Sequence, residues 1–252
     1  MIEVTHTFYL GAHHPHWLAQ AEVPLFVSRR RLVERRRFPR ASARWALDSG
    51  AFSELSIHGR WTVSAAQYAR EARLFSQEIG RLDFAAPQDW MCEPWILEKT
   101  GLTLGEHQRR TLRNFLELQE LAPEIPWIPV LQGWAVHDYW RHAEMYATSG
   151  VDLSRQPLVG VGSICRRQAT KTASGILASL ATIYGLRLHA FGLKTKGLRQ
   201  SSAYLRSADS MAWSMAARRA GATLPGCSHT SCANCLRFAL FWRSGLPNEW
   251  QG

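Results

Sequence analysis

Four side chains that commonly bind metals lie close together near the end of the sequence. The segment GCSHTSCANC contains Cys227, His229, Cys232 and Cys235 in the pattern Cys-x-His-x2-Cys-x2-Cys. Thiolates and an imidazole in this number form tetrahedral structural zinc sites, in which four protein ligands leave no open position for chemistry. We therefore predict a structural Zn²⁺ in the segment 227–235. Two alternatives are three of these ligands joined by a fourth from elsewhere, and a redox pair formed by Cys232 and Cys235.

Three carboxylates stand in or just after apolar runs, in a chain with 30 Lys and Arg against 20 Asp and Glu. Asp48 ends WALD, Asp89 follows LDFAA, and Asp209 lies inside SADSMAW. Carboxylates in one site can divide the roles of nucleophile, general acid and general base. The structural alternatives are a tight turn at Asp48, an Asx turn at Asp89 and a salt bridge at Asp209.

The elements that must position these groups alternate between strand and helix. Eight short apolar runs predict buried parallel strands: Thr7–Ala12, Leu25–Ser28, Trp45–Asp48, Leu82–Ala86, Trp127–Gln132, Leu158–Gly162, Leu188–Gly192 and Ser207–Trp213. Helical periodicity separates several of them, at Ser64–Ile79, Thr103–Leu121, Val136–Thr148 and Ala169–Tyr184, with Gly185 as a stop signal for the last. The pattern predicts a (β/α)8 TIM barrel formed by one domain over residues 1–252, because such barrels need about 250 residues. An open doubly wound sheet is the alternative, but no GxGxxG follows the first run.

In such a barrel, catalytic groups lie at the carboxyl ends of the strands. The polar residues in or just after the runs are Asp48, Asp89, Gln132, Ser163, Lys194 and Asp209. We therefore expect these residues on one face of the molecule.

The net charge of +10 favours a polyanionic partner, with nucleic acid as the default. A solvated basic face is the structural alternative. The predicted nucleic-acid contacts are Arg29, Arg30, Arg31, Arg166, Arg167, Lys194 and Lys196. No apolar run is long enough for a membrane span, and the first residues do not form a secretory signal. We expect a cytoplasmic protein, in the host cytoplasm if a phage encodes it.

The order of these segments resembles the queuine tRNA-ribosyltransferase superfamily, the tRNA-guanine transglycosylases, over residues 9–235. The branch it resembles most is the phage and bacterial deazapurine DNA-modification protein A family. LDSGAF is similar to the motif DSGGF, QDWMC to FDEC, VLQG to VQG, LVGVGS to GGLAVG, HAFGLK to YLMGVG, and SADSMAW to VDMFDC. In QDWMC, two residues rather than one separate the aspartate from the cysteine. At the metal site, His229 replaces the middle cysteine of CxCxxC, and Cys235 takes the place of a distal histidine.

The resemblance implies base exchange at a sugar carbon. Asp209 would displace guanine and form a covalent sugar ester, and Asp48 would be the general base for an incoming 7-deazaguanine. Phe52 and Phe191 would stack on the two faces of the base. The other base-binding positions would be Asp89, Gln132, Gly160, Val161, Gly162 and Gly192.

The resemblance leaves the nucleic acid open, and the short segment after Cys235 favours DNA over tRNA because nothing there resembles an added RNA-binding domain. The implied reaction replaces guanine in DNA by 7-cyano-7-deazaguanine or a derivative. The alternatives are a tRNA-guanine transglycosylase, a non-catalytic zinc-stabilised nucleic-acid-binding protein and a hydrolase of N-glycosidic bonds.

Overall fold

Eight strands form the centre of the molecule: β1 (Thr7–Ala12), β2 (Leu25–Ser28), β3 (Trp45–Asp48), β4 (Leu82–Ala85), β5 (Val130–Leu131), β6 (Val159–Val161), β7 (Leu188–Ala190) and β8 (Leu205–Ser210). The computed structural model describes residues 6–167, 170–221 and 223–251. All paired strands are parallel and lie in the order β4-β3-β2-β1-β8-β7-β6-β5. The first and last strands of the sequence, β1 and β8, are therefore neighbours. The sheet is curled, and helices cover its outer face.

The apolar runs predict the strands closely where both faces are buried. The bounds of β1, β2 and β3 are those predicted, and Leu10 and Leu47 at their centres are fully buried. The fifth strand is shorter than the predicted Trp127–Gln132, since only Val130 and Leu131 pair with β6. The eighth begins earlier than predicted and ends at Ser210, because a helix starts two residues later.

The helices are α1 (Arg29–Leu32), α2 (Ala51–His58), α3 (Ala65–Ile79), α4 (Pro94–Thr100), α5 (Leu104–Leu121), α6 (Val136–Thr148), α7 (Lys171–Thr182), α8 (Thr195–Ser201), α9 (Ala212–Ala220) and α10 (Leu236–Ser244). Ser64 and Thr103 cap α3 and α5 by accepting backbone N–H groups, as the sequence indicates. The seventh helix is shorter than the predicted Ala169–Tyr184, and Ala169 lies outside the described residues. Short 3-10 turns lie at Pro15–Ala19, Leu153–Arg155, Ser202–Tyr204, Cys232–Asn234 and Asn248–Trp250. Within the described ranges, no helix has the length and apolar character needed to cross a membrane.

The two ends of the strand order meet along a seam between β4 and the segment leading into β5. In the described part of the chain, one isolated parallel bridge joins Ala85 to Trp127 across this seam. Two backbone hydrogen bonds accompany it, from Ala85 N to Pro126 O at 3.0 Å and from Ile128 N to Ala85 O at 3.1 Å. The structure therefore has an eight-stranded parallel sheet with a narrow connection at its edges, where the sequence predicts a closed barrel.

Side chains from the outer helices satisfy backbone groups along this seam. The hydroxyl of Tyr68 donates to the carbonyl of Ala86 at 2.8 Å. The hydroxyl of Tyr146 accepts the N–H of Val130 at 3.2 Å and donates to its carbonyl at 3.1 Å. Buried backbone groups need such partners, so these phenols replace the missing ladder and hold β5 in place.

Replacing Tyr146 by Phe removes both hydrogen bonds to Val130 and leaves its amide and carbonyl buried without a partner. We expect the free energy of unfolding to fall by about 1–3 kcal/mol. Urea unfolding followed by circular dichroism measures this change. Tyr184→Phe is the matched control, since the half-buried Tyr184 makes no hydrogen bond to the described residues. Equal stabilities of the two variants would contradict the seam role.

Candidate active site and metal centre

Polar side chains at or just after the carboxyl ends of five strands meet in one cavity of about 370 Å³. The predicted residues that line it are Asp48, Phe52, Asp89, Gln132, Gly162, Phe191, Gly192 and Asp209. The sequence places them on different strands, and parallel strands bring their carboxyl ends together. The cavity is therefore the candidate active site.

Asp209 is held from two sides at the end of β8. The backbone N–H of Gly192 donates to its Oδ1 at 2.9 Å, and Nε2 of His189 lies 3.3 Å from the same oxygen. Nδ1 of His189 lies 2.8 Å from Oγ of Ser207. These contacts fix a carboxylate in a site where only 6% of the residue is exposed.

His189 is a residue that the sequence analysis does not single out. It is fully buried and packs among four aromatic rings, with centroid distances of 4.7–5.9 Å to Tyr9, Phe26, Phe84 and Phe191. A histidine inside an apolar strand such as LHA is the signal that could have pointed to it, because a buried imidazole needs polar partners.

Asp48 both forms a tight turn and lies in the candidate active site. Its Oδ1 accepts the N–H of Gly50 at 3.1 Å, which forms an Asx turn, while the carboxyl group lines the cavity. Burial raises the pKa of Asp48, and the negative charge of Asp209 contributes to the rise, whereas the hydrogen bond from Gly50 opposes it. A raised pKa moves a carboxyl group towards the range in which it can serve as a general acid and base.

Asp89 and Gln132 form a buried pair on the cavity wall. Nε2 of Gln132 donates to Oδ2 of Asp89, and burial raises the pKa of Asp89 to about 7. Gly162 makes this arrangement possible, because a Cβ at that position would lie 2.1 Å from Nε2 of Gln132. The glycine therefore makes room for a neighbouring side chain as well as lining the cavity.

Glu93 and Ser163 extend this pair along the cavity wall, although the sequence analysis assigns a function to neither. Oγ of Ser163 lies 2.6 Å from Oε1 of Gln132 and 2.8 Å from Oε2 of Glu93. The backbone N–H of Cys92 donates to the same Oγ at 2.8 Å. Ser163 was predicted at a strand end, but the acid that pairs with it lies in a loop, where periodicity carries no signal.

Gly160 and Val161 occupy different positions from those the resemblance implies. Both are buried in β6 and neither lines the cavity. A Cβ on Gly160 would lie 2.6 Å from the ring of Phe191, so this glycine accommodates the aromatic side chain. Cys92 also lies behind the wall and contributes its backbone N–H rather than its thiol, whose pKa burial raises.

The two predicted stacking residues differ in their surroundings. Phe191 is half-buried and lies 6.0 Å from the ring of Phe26, within the aromatic floor of the cavity. Phe52 is 46% exposed at the rim, where the guanidinium of Arg166 lies 5.1 Å from its ring centroid and 4.7 Å from that of Trp95. Phe191 is thus a fixed surface, whereas Phe52 belongs to a cation–π group at the entrance.

A larger groove of about 840 Å³ adjoins the cavity and shares Phe26, Asp48, Phe52 and Met211 with it. Basic and imidazole side chains line it, namely His13, His14, Arg29, Arg30, Arg31 and Arg35. Arg30, Arg31 and Arg35 are exposed. The groove therefore presents positive charge beside the candidate active site.

Four of the predicted nucleic-acid contacts have surroundings that bear on their interpretation. Arg29 is 6% exposed and its guanidinium binds both carboxylate oxygens of Glu71, so it is committed to a salt bridge that anchors α1. Arg167 is half-buried, donates to the carbonyl of Ser163 at 3.1 Å and stacks on Trp134 at 4.1 Å. Lys194 and Lys196 are exposed near α8, but neither lines the cavity or the groove.

The four predicted metal ligands converge near α9. The ligand atoms of Cys227, His229, Cys232 and Cys235 all lie within 4.8 Å of one another. Sγ of Cys227 is 3.9 Å from Sγ of Cys235, and Nε2 of His229 is 3.2 Å from Sγ of Cys232. Two thiolates bound to one tetrahedral zinc at about 2.3 Å lie about 3.8 Å apart, so the donor set fits a zinc ion. The short segment therefore brings together four donor atoms that could hold one metal ion.

This cluster is connected to the catalytic end of the sheet through α9. The hydroxyl of Ser214 donates to the carbonyl of Ala233 at 2.8 Å and lies 3.1 Å from Nε2 of His13 in the groove. The backbone N–H of Leu224 lies 3.4 Å from Sγ of Cys232, as in the outer shells of metal sites. A metal here would brace the helix that follows Asp209.

Replacing Cys232 by Ser removes the most buried ligand of the cluster. We expect purified protein to contain about one zinc ion per chain and the variant to lose most of it, with a lower melting temperature. Atomic emission spectroscopy and thermal unfolding measure the two effects. Cys165→Ser is the control, because Cys165 lies outside the cluster. Full zinc content in the Cys232 variant would contradict the ligand assignment.

The family model DpdA, described as DeoxyPurine in DNA protein A, matches residues 4–251, nearly the whole chain. The chain therefore belongs to this family, which confirms the resemblance found in the sequence and indicates a role in DNA modification related to guanine transglycosylation. No curated protein matches the chain.

Proposed function

We propose that this member of the DpdA family exchanges guanine in DNA for a 7-deazaguanine through a covalent ester between Asp209 and the sugar. The observation that carries the proposal is the placement of Asp48 and Asp209 in one cavity with unlike surroundings. Asp209 accepts a hydrogen bond from the backbone N–H of Gly192 and lies 3.3 Å from Nε2 of His189, whereas burial raises the pKa of Asp48. Unlike environments for two carboxyl groups are what separates a nucleophile from an acid–base residue.

The first half of the reaction transfers the sugar to the enzyme. An oxygen of Asp209 bonds to the anomeric carbon as the bond to N9 of guanine breaks, and the electron pair leaves on the guanine. A proton held by Asp48 neutralises the departing base. The contacts from Gly192 and His189 support this step because they hold the carboxylate that attacks.

The second half restores the enzyme. Asp48, now ionised, takes the N9 proton of the incoming 7-deazaguanine, whose nitrogen bonds to the anomeric carbon while the ester bond to Asp209 breaks. The negative charge of Asp209 contributes to the raised pKa of Asp48. Esterification removes that charge, which favours ionised Asp48 at the stage where a base is needed.

The remaining cavity residues suit recognition of a planar purine. Asp89 would accept the N–H groups of the guanine edge, and the second hydrogen of the Gln132 amide would reach the neighbouring oxygen. Phe191 would support one face of the base and Phe52 would close over the other. The cavity volume of about 370 Å³ suits a single small ligand.

The basic groove beside the cavity supports a nucleic-acid substrate. Arg30, Arg31 and Arg35 would track the phosphates of the strand whose guanine enters the cavity. Extracting a base from its stack costs a few kcal/mol, which contacts in such a groove can offset. DNA is favoured by the family to which the chain belongs.

Two further parts of the proposal concern the scaffold. We infer that the eight strands act as a (β/α)8 barrel within one domain, because the strand order and the bridge at Ala85 and Trp127 support closure along the seam. The Cys3His cluster would hold Zn²⁺, which supplies a structural cross-link when bound.

Replacing Asp209 by Asn keeps the shape of the side chain but removes the nucleophile. We expect incorporation of labelled guanine into DNA to fall at least about thousandfold, while DNA affinity stays within about twofold of the unchanged protein. Exchange assays and fluorescence anisotropy measure the two quantities. Asp152→Asn, an exposed acid far from the cavity, is the matched control.

Mass spectrometry of nucleosides from an expressing cell separates DNA from tRNA as substrate. We expect a 7-deazaguanine in DNA, and its appearance in tRNA alone would contradict the DNA assignment. Exchange that survives in the Asp209 variant would reject this residue as the nucleophile. Release of guanine without incorporation of another base would identify a hydrolase.

A further inference from the structure

Four buried polar side chains form a continuous row along the cavity wall. The row runs from Asp89 through Gln132 and Ser163 to Glu93, with contacts of 2.6 Å between Ser163 and Gln132 and 2.8 Å between Ser163 and Glu93. The proposed reaction uses Asp89 and Gln132 for the purine edge and leaves Glu93 without a role. Glu93 is 2% exposed and lines the same cavity.

A hydrogen count fixes the protonation of Glu93. The hydroxyl of Ser163 has one hydrogen but contacts two oxygens, Oε1 of Gln132 and Oε2 of Glu93, and it already accepts the N–H of Cys92. With Nε2 of Gln132 donating to Asp89, an ionised Glu93 would leave one of these short O···O contacts without a hydrogen. A proton on Oε2 of Glu93 satisfies both contacts, because Glu93 then donates to Ser163 and Ser163 donates to Gln132.

The burial of Glu93 favours a neutral carboxyl group. Burial raises its pKa, whereas the contact with Ser163 and the nearby guanidinium groups of Arg166 and Arg167 oppose the rise. The other ionisable groups that interact with Glu93 from the packed elements are the carboxyl of Asp89, the thiols of Cys92 and Cys165 and the phenol of Tyr139. Both arginines have other engagements, on Phe52 and Trp95 and on Trp134.

The second carboxyl oxygen of Glu93, Oε1, can accept a hydrogen bond from a ligand. Oε1 is buried and has no hydrogen-bond partner among residues 6–167, 170–221 and 223–251. Buried polar atoms in proteins nearly always have a partner, so an orphaned oxygen on a cavity wall points to a ligand. In the neutral acid this atom can accept a hydrogen bond but cannot donate one.

The backbone conformation of Ser163 indicates that its contacts hold the row in place. Ser163 has φ of +54°, in the left-handed region that residues other than glycine rarely occupy. Such a conformation persists where surrounding contacts hold it, and it is frequent at ligand sites. Its three contacts at Oγ provide that restraint.

We propose that Glu93, in its neutral form, is a further substrate-contacting residue that selects an incoming base carrying an N–H donor on its 7-substituent. This inference rests on the proposed function, in which Asp89 reads the amino edge of the purine and Gln132 reads the adjacent oxygen. On the purine, the 7-position follows the oxygen that Gln132 would read, just as Glu93 follows Gln132 and Ser163 along the cavity wall. Oε1 of Glu93 would therefore accept a hydrogen bond from the 7-substituent. An aminomethyl or amide group supplies that donor, whereas a nitrile does not.

Calorimetry with guanine, 7-cyano-7-deazaguanine and 7-aminomethyl-7-deazaguanine tests the inference. Glu93→Ala removes the acceptor, and we expect its affinity for the aminomethyl base to fall about tenfold more than its affinity for guanine. Glu93→Gln reproduces the neutral acid, with an amide N–H for Ser163 and a carbonyl in place of Oε1. We expect it to restore the aminomethyl selectivity to within about twofold of the original protein.

Equal losses for all three bases in Glu93→Ala would overturn the contact, as would unchanged affinities. A Glu93→Gln variant as poor as Glu93→Ala would overturn the neutral form. Ser163→Gly is a second variant that removes Oγ, and we expect it to lower the selectivity for the aminomethyl base because Glu93 loses its partner, while relief of the backbone at this position offsets part of the lost stability. If the original protein shows this selectivity but incorporates no labelled guanine into DNA, the proposed function fails while the base contact stands. If it binds none of the three bases, the contact itself is rejected.

Discussion

Four carboxyl groups share one cavity, and the cost of burying them together is the constraint on which the site depends. Asp48, Asp89, Glu93 and Asp209 all line the same cavity. Burial raises the pKa of the first three, and neighbouring carboxyl groups add to the rise at Asp48 and Asp89. The raised pKa values favour the protonated forms of Asp48, Asp89 and Glu93, whereas Asp209 accepts the N–H of Gly192. In the proposed mechanism, this difference lets Asp48 act as acid and base while Asp209 attacks the sugar.

Glycines in the fold accommodate these buried groups, because they offer a backbone N–H or leave space for a neighbouring side chain. The N–H of Gly192 points at Asp209, and φ of +67° at this residue is a conformation that glycine adopts without strain. Gly162 makes room for Gln132, and Gly160 makes room for Phe191. On the outside, phenols at the seam satisfy the strand ends that have no ladder partner. A metal held by the Cys3His cluster would add a local brace beside α9.

Much of this arrangement could be predicted because strands buried on both faces appear in the sequence as short apolar runs. Asp48, Asp89, Gln132 and Asp209 stand at strand ends, and the parallel sheet brings them together as expected. Glu93 was missed because it lies in an irregular loop, and its significance comes from contacts across 70 positions of sequence. The salt bridge of Arg29 could not be predicted, because a run of arginines does not reveal which member turns inward to Glu71. Pairing across the seam also escapes sequence patterns, because hydrogen bonds between strand edges leave no periodic signal.

The proposed base exchange depends most directly on a covalent bond between Asp209 and the sugar. Peptide mapping by mass spectrometry, after rapid acid quenching of the enzyme with a guanine-containing oligonucleotide, tests this attachment. We predict that the oligonucleotide is attached, through a sugar that has lost its guanine, to the peptide that contains Asp209 and not to the peptide that contains Asp48. An adduct on Asp48, or exchange without any adduct while labelled base is being incorporated, would contradict the assignment of nucleophile and base.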